Sequence, residues 1–193
     1  MTSLDLRRLA AEFAGAALLV MIGVGSVLFA QGNLLTIALG HLLALAIGVY
    51  AFAVVSGAHF NPAVTIGLAA GGYFRWRDVP GYVVAQLLGG IAGASLVVAG
   101  YGQFALDSNL GATRIAEPVA VTTALFIEAM GTFVLALAVM AFAVNRESPR
   151  GLAGLGIGGA LAAGIVVFGP ATGASFNFAR TLGPETVLQL AGD

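Results

Sequence analysis

The chain has 193 residues, of which 59% are apolar and only 9% charged, with a formal net charge of −1. Soluble domains run at roughly 45–50% and 25%, so this composition belongs in a lipid bilayer. The absence of cysteine excludes disulfides, a thiol nucleophile and cysteine-ligated metal, and the near-neutral charge gives no reason to expect a nucleic-acid partner.

Taken in chain order, the first apolar run covers residues 9–30. It is too long for a signal-peptide core and lacks a small-residue cleavage site ahead of a soluble domain, so it reads as a retained span. Runs at 34–55, 82–101, 119–144 and 152–169 also approach the about 20 apolar residues that a helix needs to cross the hydrocarbon core. Two further apolar segments, 62–72 and 176–190, are too short to span. Each follows a Gly-Ala pair and an Asn, and segments of this length are predicted to be re-entrant. If the five spans alternate in direction, Arg7, Arg8, Arg75, Arg77, Arg146 and Arg150 share one side, and Arg114 is alone among loop arginines on the other. The positive-inside rule then makes the N-terminus cytoplasmic.

Shifting the chain by 116 residues aligns GAHFNPAVTIG, which begins at Gly57, with GASFNFARTLG, which begins at Gly173; seven of the eleven positions are identical. The same shift pairs Glu12 with Glu128, Gly15 with Gly131, Gly40 with Gly156 and Ala44 with Ala160. The register therefore extends through the preceding spans. Because the first half holds an odd number of spans, the second half must enter the membrane upside down. The predicted fold class is an all-α membrane protein built as an inverted repeat. Its first repeat covers 1–105, with three spans and a half-helix over 61–72. A connecting loop covers 106–116, and the second repeat covers 117–193, with two spans and a half-helix over 177–190. The counterpart of the third span should begin near residue 195, past Asp193, so the second repeat is expected to be one span short.

In each repeat a short helix would begin just after Asn61 or Asn177. Its unpaired N–H groups and positive dipole end would point inward from opposite faces. Each Asn can cap its own helix and offer its amide to a passing oxygen. Irregular backbone at membrane depth is tolerated where protein or a wet cavity satisfies it, which makes a pore the natural reading. The alternative is a packed re-entrant hairpin that conducts nothing.

These paired signatures, Asn61-Pro62-Ala63 and Asn177-Phe178-Ala179, resemble those of the major intrinsic protein, or aquaporin, family over almost the whole chain. The Glu-x-x-Gly openings at Glu12–Gly15 and Glu128–Gly131 match as well. The resemblance implies a passive channel for water and small uncharged solutes, assembled as a homotetramer in the plasma membrane and needing no cofactor or metal. It also implies that Glu12 and Glu128 accept hydrogen bonds from the signature loops rather than relay protons. The family's selectivity-filter positions fall on His41, Ile165, Ala174 and Arg180, a ring that resembles plant tonoplast aquaporins and implies passage of ammonia or urea. His41 as a packing histidine and Arg180 as a side chain reaching the interface are the bland alternatives. Glycerol conductors of the family carry Asp after the arginine and a basic residue later. Thr181 and Glu185 stand there in this chain, so glycerol is disfavoured. Phe178 departs from the family's proline. The two prolines of the family meet at the midplane, so Phe178 is expected to face Pro62 and to weaken the second half-helix.

The glycine pairs Gly89–Gly93 and Gly154–Gly158 read as helix-packing residues. No nucleophile or metal constellation gives an enzyme anything to stand on. An ion-coupled transporter would want a carboxylate near the midplane beside the broken helices. The remaining alternative is a truncated, non-conducting relative with an assembly or regulatory role.

Overall fold

The structure is a computed structural model that describes residues 5–192. Regular structure among these residues is helical throughout. Five segments are long and apolar enough to cross a membrane: Leu6–Phe29, Leu34–Ser56, Trp76–Tyr101, Val121–Val144 and Ala153–Thr172. The helices are α1 (Leu6–Phe29), α2 (Leu34–Ser56), α3 (Pro62–Ala70), α4 (Val79–Tyr101), α5 (Gln103–Asp107), α6 (Val121–Val139), α7 (Ala153–Thr172) and α8 (Phe178–Gly192). A 3-10 turn, Trp76–Asp78, leads into α4, and α6 continues through a π-helical turn, Met140–Val144.

Local chemistry sets the ends. Asp5 accepts from the Arg7 amide, Asn33 from those of Leu35 and Thr36, and Asn61 from that of Ala63. These are side-chain caps for orphan N–H groups. The Asp5 cap draws Arg7 and Arg8 into the first turn, so α1 starts three residues before its apolar run. Gly57 (φ 92°) and Gly173 (φ 80°) close α2 and α7 in the left-handed region, as helix-terminating glycines do. The stretch expected to be a bare connector is partly ordered. It holds the end of α5 and a 3-10 turn at Asn109–Gly111, and Arg114 pairs with Glu185 of α8.

α1 packs on α2 and α4, α2 on α7, α6 on α7, and α8 on α4. Small residues make these contacts close: a side chain at Gly89 or Gly93 would strike the backbone of Phe13 or Ala17, and one at Gly158 that of Leu42. Lipid supplies no hydrophobic drive between helices, so this proximity is what dispersion acts on. The apolar core gathers around two buried rings, Phe60 and Phe176. Phe60 occupies the space left by Gly15 and Gly48, and Phe176 that left by Gly131 and Gly164. Phe52 and Phe168 each present an edge to one of these rings at 6.1 Å.

Candidate functional site

The site is built from two strained loops. Ala58 (φ 55°), Phe60 (φ 50°), Ala174 (φ 48°) and Phe176 (φ 51°) all have positive φ without being glycine, at about 1–3 kcal/mol each. A carboxylate holds each loop in this shape. Glu12 accepts from the Ser56 hydroxyl at 2.6 Å, the His59 amide at 3.0 Å, the Phe60 amide at 2.7 Å and the Gln86 carboxamide at 2.7 Å. Glu128 accepts from the Thr172 hydroxyl at 2.6 Å and from the Ser175 and Phe176 amides at 3.2 and 2.8 Å. Glu12 is fully buried, whereas Glu128 borders a side cavity of about 240 Å³ with Thr172, Ser175 and Thr181.

With the loops fixed, α3 and α8 begin head to head. Asn61 accepts the Ala63 amide at 2.9 Å and donates its own amide to the Phe176 carbonyl at 2.8 Å. Asn177 accepts the Ala179 amide at 3.0 Å and donates to the Phe60 carbonyl at 2.9 Å. Each carboxamide thus caps its helix and braces the opposite loop with one N–H. An amide nitrogen carries two N–H groups, and both asparagines line the central cavity.

That cavity, about 20 Å³, is also lined by His41, His59, Ser175 and Arg180, with an apolar wall that includes Leu45, Leu135 and Leu161. At one end it shares Ala58, His59, Val64, Val139 and Ile157 with a chamber of about 400 Å³. At the other it shares His41 and Arg180 with one of about 100 Å³. The result is a passage wide at both ends and narrow between, where the room is of the order of one or two waters.

His41 and Arg180 come together at one end of the narrow part, and Ile165 joins them around the chamber of about 100 Å³. Ala174, within the second loop, packs into the apolar core cluster. The Nδ1–H of His41 donates to the Ile37 carbonyl at 2.9 Å; a carbonyl can only accept, which leaves Nε2 without a proton in the neutral ring. Arg180 is 4% exposed, and its Nη1 has no hydrogen-bond partner among the described residues. Arg180 lines both the narrow part and the chamber of about 100 Å³ beside it.

One expectation is corrected here. Phe178 does not fill the midplane against Pro62: it is 58% exposed, while Pro62 is buried. The first residue of α8 is turned outward by the helix phase, and the buried Ala179 follows it.

Residues that sequence reasoning did not single out complete the site. His59 bonds the Thr65 hydroxyl at 3.1 Å and packs edge-on to Phe74 and tilted against Tyr82, with ring centroids 4.9 and 5.1 Å away. Gln86 of α4 joins Glu12 to Thr65, and Tyr82 donates to the Ser56 carbonyl at 2.7 Å. The position of His59 inside the first signature was the available signal; Gln86 and Tyr82 carried none beyond being polar groups in an apolar span.

A membrane bundle with two capped half-helices meeting in a narrow passage defines a channel-like class of fold. The family model of the major intrinsic proteins matches residues 1–191, and the chain belongs to that family. It is 36% identical to an aquaporin, AqpM, of Methanothermobacter marburgensis, over 92% of this chain and 82% of the relative. It is 35% identical to glycerol uptake facilitator protein-like 6 of Lactiplantibacillus plantarum, over 93% and 83%. Among solved structures, the aquaglyceroporin from Plasmodium falciparum superposes with a TM-score of 0.89 at 30% identity, covering 96% of this chain and 82% of that one.

Proposed function

We propose that this protein is a passive channel for water and small neutral solutes. The observation that carries this reading is the meeting of α3 and α8, with Asn61 and Asn177 facing a cavity that Arg180 also lines. Two N–H donors and two helix N-termini at the centre orient water by its oxygen and oppose cations. His41, Ile165, Ala174 and Arg180 act as the selectivity filter. The hydrogen-bonded His41 and the apolar Ile165 lining the same chamber favour ammonia or urea alongside water. Glycerol transport is the second reading, supported by relatives named for glycerol uptake and as an aquaglyceroporin. Thr181 opposes it, because its hydroxyl lies 2.6 Å from that of Ser175 and supplies no carboxylate after Arg180. The protein sits in the membrane with the face carrying Arg8, Arg75 and Arg77 towards the cytoplasm, as a homotetramer of protomers that each hold one pore. Two repeats, 1–105 and 117–193, contribute one half-helix each.

Stopped-flow light scattering on proteoliposomes tests this. Water flux above that of empty vesicles, with ammonia and urea faster than glycerol, is the expected result. Flux equal to empty vesicles would overturn the channel, and glycerol as fast as urea would overturn the filter.

A further inference from the structure

Beside the passage and separate from it, an open groove of about 680 Å³ runs between α1 and α4 on the outer surface of the bundle. Its walls are apolar: Leu6, Leu9 and Phe13 on α1, Pro80, Val84 and Leu88 on α4. Gly89 lies against the Phe13 carbonyl and Gly93 against that of Ala17, so the two helices run parallel and the groove opens at both of their N-terminal ends. Seven or eight residues of helix carry it about 10–12 Å into the bilayer, a depth within one leaflet of a hydrocarbon core about 30 Å thick.

The open end is basic. Arg77 stands three residues before Pro80, seven before Val84 and eleven before Leu88, in a 3-10 turn continuous with α4. That spacing places it one turn above the groove on the same helix face. Its side chain is 62% exposed, with Nε 3.7 Å from the Asp78 carboxylate. Asp78 is itself buried and shared: Arg75 bonds it at 2.7 Å and Arg8 lies 3.7 Å away. Three arginines on one carboxylate leave positive charge unbalanced. Arg7, exposed in the first turn of α1, meets the Asp5 carboxylate through its backbone amide, and its guanidinium makes no ion pair among the described residues. Tyr73 and Trp76, each 59% exposed, mark this level as the headgroup region, where amphipathic rings collect.

We propose that this groove binds one anionic phospholipid, with an acyl chain between α1 and α4 and the headgroup phosphate at Arg77 and Arg7. Charge complementarity selects the occupant. A zwitterionic lipid fills the same apolar walls but gains less from the arginines, and a soluble phosphate gains nothing from the walls.

Native mass spectrometry of the full chain in detergent, titrated with phosphatidylglycerol or phosphatidylcholine of identical acyl chains, tests the site. Phosphatidylglycerol should be retained at one molecule per chain in clear preference to phosphatidylcholine. Arg77→Gln should weaken it roughly fivefold, and adding Arg7→Gln should do so again, with phosphatidylcholine binding unchanged. Ala10→Phe, at an exposed groove position, should weaken both lipids by filling the space for the chain. Equal binding of the two lipids, indifference of phosphatidylglycerol to Arg77→Gln, or glycerol phosphate binding as tightly as the lipid would each overturn the proposal.

Discussion

Glu12 and Glu128 hold matching loops, but their surroundings differ, and the difference predicts unequal costs on removal. Glu12→Ala strands the Ser56 hydroxyl, the Gln86 amide and the N–H groups of His59 and Phe60. The hydroxyl can rotate, and the Gln86 amide keeps Thr65 at 2.8 Å. The two backbone donors have no such freedom. An orphaned buried donor costs about 1–3 kcal/mol, so the loop loses about 2–6 kcal/mol, towards the lower end because membrane-embedded hydrogen bonds average near 0.6 kcal/mol. Glu128→Ala also strands two N–H groups, those of Ser175 and Phe176, but beside a cavity of about 240 Å³. Water admitted there can take over one or both. Thermal unfolding in mild detergent should therefore fall further for Glu12→Ala than for Glu128→Ala. Proteoliposome water flux at equal protein should follow the same order. Equal losses, or a greater loss for Glu128→Ala, would refute the argument that burial decides the cost.

Arg180→Val removes a buried cation lining the narrow part of the passage. Leakage of protons or sodium into proteoliposomes should rise while water flux persists, and unchanged ion exclusion would deny Arg180 that role. Gly23→Ala would put a methyl group 2.5 Å from His41 Nε2 and 2.8 Å from its Cδ2, so the ring must move. Urea and ammonia permeability should change more than water permeability, whereas an unaltered solute profile would show that the position of His41 does not set selectivity.

Hydropathy made the five spans and both short helices legible, and the Asn at each half-helix start fixed where it begins. The shift of 116 residues pointed to Glu12 and Glu128 as equivalent groups, and they hold equivalent loops. What stayed hidden was direction. In a helix that is apolar all round, composition does not say which face meets protein and which meets lipid. Gln86 and Tyr82 could not be aimed at Glu12 and Ser56 for that reason. Nor could Phe60 be matched with Gly15 and Gly48, because the fit depends on three segments arriving at one place. The bonds from Asn61 to Phe176 and from Asn177 to Phe60 cross more than 110 residues of chain, and only the folded bundle brings them together. The groove beside Arg77 was invisible because it is a space between helices and not a run of residues.

Phe178 shows how much turns on that directional information. Read as a side chain at the midplane, it implied a weakened second half-helix. In the structure its neighbour Ala179 is fully buried, and a side chain at Gly90 would strike the Ala179 carbonyl, just as one at Gly183 would strike the Gly90 carbonyl. α8 is therefore fixed to α4 by backbone contact, while the side chain at 178 points away. The residue costs the helix only the preset φ and the absent N–H that proline supplies at a first helical position. Phe178→Pro should accordingly raise stability by about 0.4–1 kcal/mol through the unfolded chain and leave water flux within about twofold. Gly90→Val, by contrast, must push Ala179 and with it Asn177 and Arg180, so flux should collapse even where the protein still inserts. Thermal unfolding and stopped-flow flux on the two variants separate these outcomes. A large change in flux for Phe178→Pro, or normal flux for Gly90→Val, would mean that α8 is held by something other than its contact with α4.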